Sequence, residues 1–209
     1  MPILTDHPYA DLPGTRRRQW PVGPMLAAIL IAMSAVSSYA QSATSEPMRA
    51  FMAATRDYAQ MHRRLERQIG PIEITTSIDQ INRMIQQLAT AIRADRADAQ
   101  QGDFFTPALA PELRARINDA LLADDFTADD VIRAGRVDGI DYQRVALRVN
   151  GTFPWILGAA MFPCVIQALP ELPSELQYRI VGTDLVLIDV HASLIVDILP
   201  SALAWATER

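Results

Sequence analysis

Residues 176–189 read Leu176-Gln177-Tyr178-Arg179-Ile180-Val181-Gly182-Thr183-Asp184-Leu185-Val186-Leu187-Ile188-Asp189. Two runs rich in branched residues flank Gly182-Thr183-Asp184, which has the chemistry of a tight turn, so the segment predicts a β-hairpin. Residues 190–199, closed by Pro200, continue as a third β-rich or mixed segment. Upstream, residues 142–149 alternate in polarity and stop at Asn150-Gly151, which predicts a strand and a turn. The 22 uncharged residues between Arg148 and Glu171 are interrupted by Pro154, Gly158 and Pro163. No apolar stretch there is long enough to span a bilayer, and a buried, proline-punctuated loop is expected.

Towards the N-terminus the period changes from two to between three and four. Met48, Phe51, Thr55, Tyr58, His62, Leu65 and Ile69 form one stripe of an amphipathic helix, with Ser45 as its cap and Gly70-Pro71 as its end. Ile74, Ile78, Ile81, Ile85, Leu88 and Ile92 form a second stripe, opened by the capping box Ser77-Ile78-Asp79-Gln80. Both stripes keep a heptad-like spacing across a short connection, so they predict an antiparallel helical hairpin with the two stripes facing each other. Helices are expected at 46–69, 78–100, 107–123 and 128–135, followed by a small antiparallel sheet from residue 142 onward. Helices segregated from strands define an α+β class. The organisation expected is a leader over 1–40, a helical region over 41–139 and a β-rich region over 140–209, the last two packed as one domain.

The leader has its parts in order. Arg16-Arg17-Arg18 precedes the apolar core at residues 25–36, and Ser38-Tyr39-Ala40 supplies small residues at the −3 and −1 positions before Gln41. Positive cluster, short apolar core and small-x-small site read as a cleaved secretory signal, which places the mature chain in the periplasm or outside the cell. An uncleaved leader acting as a membrane tether is the alternative. Beyond Ala40 the chain carries 16 basic and 22 acidic residues, every basic one an arginine. That balance argues against nucleic acid, and contact with a membrane is expected only through the export signal. The lone Cys164 sits in an apolar run and forms no internal disulfide.

The C-terminal pattern Tyr178-Arg179-x-Val181-Gly182-x-Asp184-Leu185-x-Leu187-x-Asp189-Val190-x-Ala192-x-Leu194-Ile195-Val196-Asp197 follows Leu169-Pro170-x-Leu172-Pro173. It resembles the core of an uncharacterised family of exported bacterial proteins. The resemblance implies export and carries no activity or catalytic residue.

Chemistry-bearing residues concentrate in the same tail: Asp184, Asp189, His191 and Asp197. If the chain stays extended through residue 191, Asp189 and His191 share a face, and a carboxylate beside an imidazole can orient a base or help hold a metal. The ordinary reading makes Asp184 a turn residue and lets Asp189 and Asp197 close strands. One histidine is short of a metal site, so the sequence assigns neither a metal nor a cofactor. His62 is expected as a satisfied histidine at the Ile81–Ile85 level of the hairpin, and Arg63, Arg64 and Arg67 as a solvated face. Phosphate loops, a nucleophile elbow and paired cysteines are all missing. The expectation is a non-catalytic binding or interaction module, partnered by another protein or by itself through the hairpin. Its rival is a small hydrolase or metal-dependent enzyme using Asp189 and His191.

Overall fold

The computed structural model describes residues 44–70, 77–139, 146–157 and 161–203. The expected leader and cleavage site lie outside these residues, as do Ile74 and the first part of the strand expected at 142–149.

Helix α1 (Glu46–Ile69) begins and ends where its caps dictate: the Ser45 side chain accepts from Met48 N–H, and Gly70, at φ 105°, ends it. Helix α2 (Ile78–Asp95) is capped by Ser77, whose side chain accepts from Gln80 N–H. It ends five residues earlier than its periodicity predicts, for a tertiary reason. Arg96 turns its guanidinium to Asn150 Oδ1 and to the carbonyl of Val196, and its own carbonyl accepts from Asn150 Nδ2 at 2.7 Å. An asparagine side chain thus takes the place of the next helical N–H.

Helix α3 (Ala110–Ala123) starts three residues later than expected, because Thr106 first closes a separate turn onto Leu109 and Ala110. Helix α4 (Ala128–Ala134) carries the reciprocal Thr127–Asp130 capping box. Within the expected loop, a short 3₁₀ turn (Trp155–Leu157) and helix α5 (Pro163–Ala168) appear. Pro163 opens α5 instead of breaking structure, since a first-turn position needs no N–H. Trp155, Ile156 and Ile166 are exposed, so this stretch is only partly buried.

The sheet is three-stranded and antiparallel, with β1 (Leu176–Val181), β2 (Asp184–Asp189) and β3 (Leu194–Leu199) in sequential order. The β1–β2 turn is Gly182-Thr183, with Gly182 at φ 59°, one residue shorter than the expected Gly182-Thr183-Asp184 because Asp184, in β2, already pairs with Val181. β2 and β3 are buried on both faces. Leu185, Leu187, Leu194 and Val196 join the helices in the main core, while Val186, Ile188, Ile195 and Ile198 pack with Phe153 and Leu157. The architecture is α+β, with five helices preceding the sheet among the described residues. Residues 146–149, the described end of the expected first strand, are not a strand. Thr152 alone bridges to Leu194.

The two helical stripes meet over only part of their length. Leu88 and Ile92 are buried, whereas Ile78 is 73% and Ile81 42% exposed. The α1 stripe turns instead towards the sheet and the 104–105 loop: Phe51 stacks on Phe105, and Tyr58 meets Phe104 edge-on. A full-length face-to-face hairpin is therefore corrected to one that closes at the Leu88–Ile92 end.

Candidate functional site

On α1, Tyr58, His62 and Glu66 follow one another at four-residue intervals and so occupy one face of the helix. Tyr58 Oη donates to Asp189 Oδ2 at 2.9 Å, and His62 Nδ1 approaches the same oxygen at 2.6 Å. The other oxygen, Asp189 Oδ1, accepts the N–H groups of His191 (3.0 Å) and Ala192 (2.8 Å). Asp189 and His62 are both fully buried. An ionised carboxylate can only accept, so the proton between these two groups belongs to His62 Nδ1.

Asp189 and His191 do come together, but not by strand alternation. The chain leaves β2 at Asp189 and turns through residues 190–193, with Ser193 at φ 51°. Asp189 Oδ1 caps that turn, which leaves His191 exposed at its apex. The His191 Nδ1 atom then lies 3.3 Å from His62 Nε2, the rings tilted at 60°. With the His62 proton on Nδ1, its Nε2 presents a lone pair, and a proton on His191 Nδ1 makes this contact an ordinary hydrogen bond. Glu66 completes the cluster, with one ligand atom from each of His62, Glu66 and His191 lying within 4.8 Å of one another.

The electrostatics follow from this burial. Desolvation disfavours a charged His62 ring, but the hydrogen bond and charge of Asp189 outweigh it, with smaller help from Glu66 and Glu175, and the pKa rises above its ordinary value. For Tyr58, burial and then the Asp189 charge push the phenol far above its ordinary value, so it remains a neutral donor. Arg96 stands over the rings of Tyr58 and Phe104, at 5.3 and 5.5 Å.

Compared with protein families, with curated proteins and with solved structures, the chain matches none of them.

A cavity of about 240 Å³ adjoins the cluster. Its walls are Ile69 and Gly70 of the α1 end, Ile81, Met84, Ile85 and Leu88 of α2, and Val190 of the β2–β3 turn. Glu66 and His191 form its polar end.

The remaining sequence candidates separate from this site. Asp197, fully buried, accepts from the N–H groups of Gly102, Phe104, Phe105 and Ile198, all at 2.8 Å, and so organises the loop before α3. Asp184 accepts from Ser201 N–H and the Thr183 hydroxyl, which is turn chemistry. Arg63 pairs with Glu175 and Arg64 with Asp95, so these two arginines of the run are engaged. His62, expected against the Ile81–Ile85 level, faces Asp189 instead, because a buried imidazole needs a polar partner and the isoleucines offer none. Tyr58 and Glu66 were not candidates from sequence. Their signal was the four-residue row 58–62–66, a polar line running through an otherwise apolar helix face.

No described helix is long and apolar enough to cross a membrane.

Proposed function

We propose that this chain is an exported, non-catalytic binding module, periplasmic or secreted, whose ligand site is the cavity between α1 and α2 beneath the β2–β3 turn. The observation that carries the reading is the lining of that cavity: aliphatic walls from Ile69, Ile81, Met84, Ile85 and Leu88, and a polar end made by His191 and Glu66. Apolar walls supply affinity and a few polar groups fix orientation, the usual division of labour in ligand pockets. Its volume, about 240 Å³, lies at the small end of ligand pockets, which favours a compact, largely apolar molecule with one polar end.

A non-catalytic role is supported by Asp189. Its two oxygens already accept four hydrogen bonds. A carboxylate so engaged orients its neighbours and is not free to take a proton from a substrate, which weighs against Asp189 itself as a general base.

Fluorescence titration with 1-anilinonaphthalene-8-sulfonate tests the pocket. The native fold should bind it saturably at one site, and Met84→Glu should weaken that binding at least tenfold while leaving the melting transition in place. Absence of saturable binding to the folded protein would remove the reading. Export is tested separately by N-terminal sequencing of the cell-envelope fraction, where a start at Gln41 is expected and an intact leader in the membrane would establish the tethered alternative.

A second reading, self-association through α2, is favoured by the exposure of Ile78 and Ile81 at its first turns. Sedimentation at increasing concentration decides it, with Ile78→Ser expected to dissociate any dimer.

A further inference from the structure

We propose that His62, His191 and Glu66 form a binding site for a divalent transition-metal ion of the zinc class. The inference deepens the binding-module reading by naming what occupies the polar end of the cavity, and rests on that reading for the ion's open coordination position.

The two imidazole nitrogens are spaced as such an ion requires. Zinc takes imidazole nitrogens at about 2.0–2.1 Å in tetrahedral sites, which sets two such nitrogens roughly 3.3–3.4 Å apart. His62 Nε2 and His191 Nδ1 are 3.3 Å apart. Of the two His62 ring nitrogens, Nε2 is the one that faces the cluster, because Nδ1 is committed to Asp189 Oδ2. A metal-bound histidine characteristically gives its other ring nitrogen to a carboxylate, which fixes the tautomer and turns the lone pair on the metal. Asp189 is therefore a positioning residue. It holds the His62 ring through one oxygen and, through the other, the turn that carries His191.

The third ligand comes from the helix. Glu66 lies one turn beyond His62, so its carboxylate rises on the same face, and its reach to both rings is within 4.8 Å. Two imidazoles and one carboxylate are a donor set suited to zinc and its first-row neighbours, and a poor one for calcium or magnesium, which want oxygen ligands. Three protein ligands leave a fourth position open, as in zinc sites that bind or activate a small molecule. The burial is graded in the same sense: His62 is sealed, Glu66 half-buried and His191 exposed, giving an ion a way in from solvent. Both Glu66 and His191 also border the apolar cavity, so a ligand's head group would meet the open position while its body lies against α2.

The test uses the full chain stripped with a chelator and titrated calorimetrically with Zn²⁺, then with Mg²⁺ and Ca²⁺. Saturable binding of one Zn²⁺ per chain is expected, at least a hundredfold tighter than either alkaline-earth ion. His191→Ala and Glu66→Gln touch only the exposed and half-buried ligands and should leave the melting transition of the apo protein near its original temperature. Each should weaken Zn²⁺ binding at least tenfold. Co²⁺ in place of Zn²⁺ should give the intense visible absorption of a tetrahedral site in the parent chain and lose it in His191→Ala. No Zn²⁺ binding by the folded chain overturns the proposal, and so does binding that both variants leave unchanged, since the ion would then sit elsewhere. Titrating 1-anilinonaphthalene-8-sulfonate into the same samples keeps the two readings apart. Dye binding without Zn²⁺ binding removes the metal site and leaves the module, whereas loss of both removes the module as well.

Discussion

His62 Nδ1 and Asp189 Oδ2 lie 2.6 Å apart across 127 residues of chain, and neither side chain is open to solvent. A buried carboxylate is tolerated only when its acceptor positions are filled. Tyr58 and two backbone N–H groups fill the rest, and no buried side-chain polar atom among the described residues lacks a partner. Breaking this set from either side should be costly, by amounts that differ with the group removed. Asp189→Asn removes the charge opposite His62 and should destabilise the fold by about 3–5 kcal/mol. Tyr58→Phe deletes one donor and should cost about 1–3 kcal/mol. Urea unfolding followed by circular dichroism measures both, and equal costs would contradict the arrangement.

Asp197 and Asp184 looked alike in sequence and should behave unlike each other. Asp197→Ala strands three loop N–H groups, each worth about 1–3 kcal/mol when left buried without an acceptor, and should abolish folding or lower the melting temperature steeply. Asp184→Ala loses two partly solvated turn contacts, to Ser201 N–H and the Thr183 hydroxyl, and should stay within about 1 kcal/mol of the parent. Comparable melting temperatures for the two variants would refute the loop-organising role.

On α2, Ile92→Ala should cost about 2–5 kcal/mol, because Ile92 is fully buried where α2 closes on the core. Ile78→Ala, one end of the same stripe, should stay within about 0.5 kcal/mol in the monomer. Matching losses from the two truncations would show that the stripe is buried along its whole length after all.

Cys164 supplies a pH-dependent readout. Burial, with the Asp124 charge adding to it, raises the thiol pKa. Because the thiolate is the reactive form, a raised pKa means less of it at any given pH, and alkylation of the native chain should begin at higher pH than for a free thiol. Iodoacetamide kinetics from pH 7 to 10, with the unfolded chain as reference, checks the order. A native rate matching the unfolded one throughout would remove this reading of the site.

Glu112 gives the opposite sign. The Ser45 hydroxyl, then Arg116, holds its carboxyl below the ordinary value of 4.5. A depressed folded pKa stabilises the protein fully above the unfolded value and loses that contribution as pH falls through the folded one. Glu112→Gln should therefore be less stable than the parent near pH 7, and the gap should narrow below about pH 4. A gap that persists unchanged at low pH would place the effect in packing.

The sequence made some of this legible and hid the rest for definable reasons. The α1 ends, the α4 capping box and the Gly182-Thr183 hairpin are local, and local chemistry sets them. The α2 end could not be read that way, since it is set by Asn150 and Val196, more than 50 residues away. Asp189 and His191 were singled out together, yet the premise of an extended strand was wrong, because Asp189 caps a turn. The site stayed out of reach because its second histidine comes from α1. Periodicity shows that His62 belongs to a buried face, but not which element covers that face.

The long separation between His62 and Asp189 also bears on how the chain is made. Synthesis delivers α1 first, and Tyr58 and His62 have no acceptor until Asp189 has been added. The loop at 102–105 waits in the same way for Asp197. A nascent polypeptide thus cannot close this interior until the β2–β3 segment has emerged, and until then the helices are held only by neighbours that leave their polar row unmatched. Such a dependence on distant partners makes folding late and slow relative to translation. A truncation that removes β3 should therefore leave a loosely collapsed helical chain, prone to proteolysis and self-adhesion, instead of a smaller folded one.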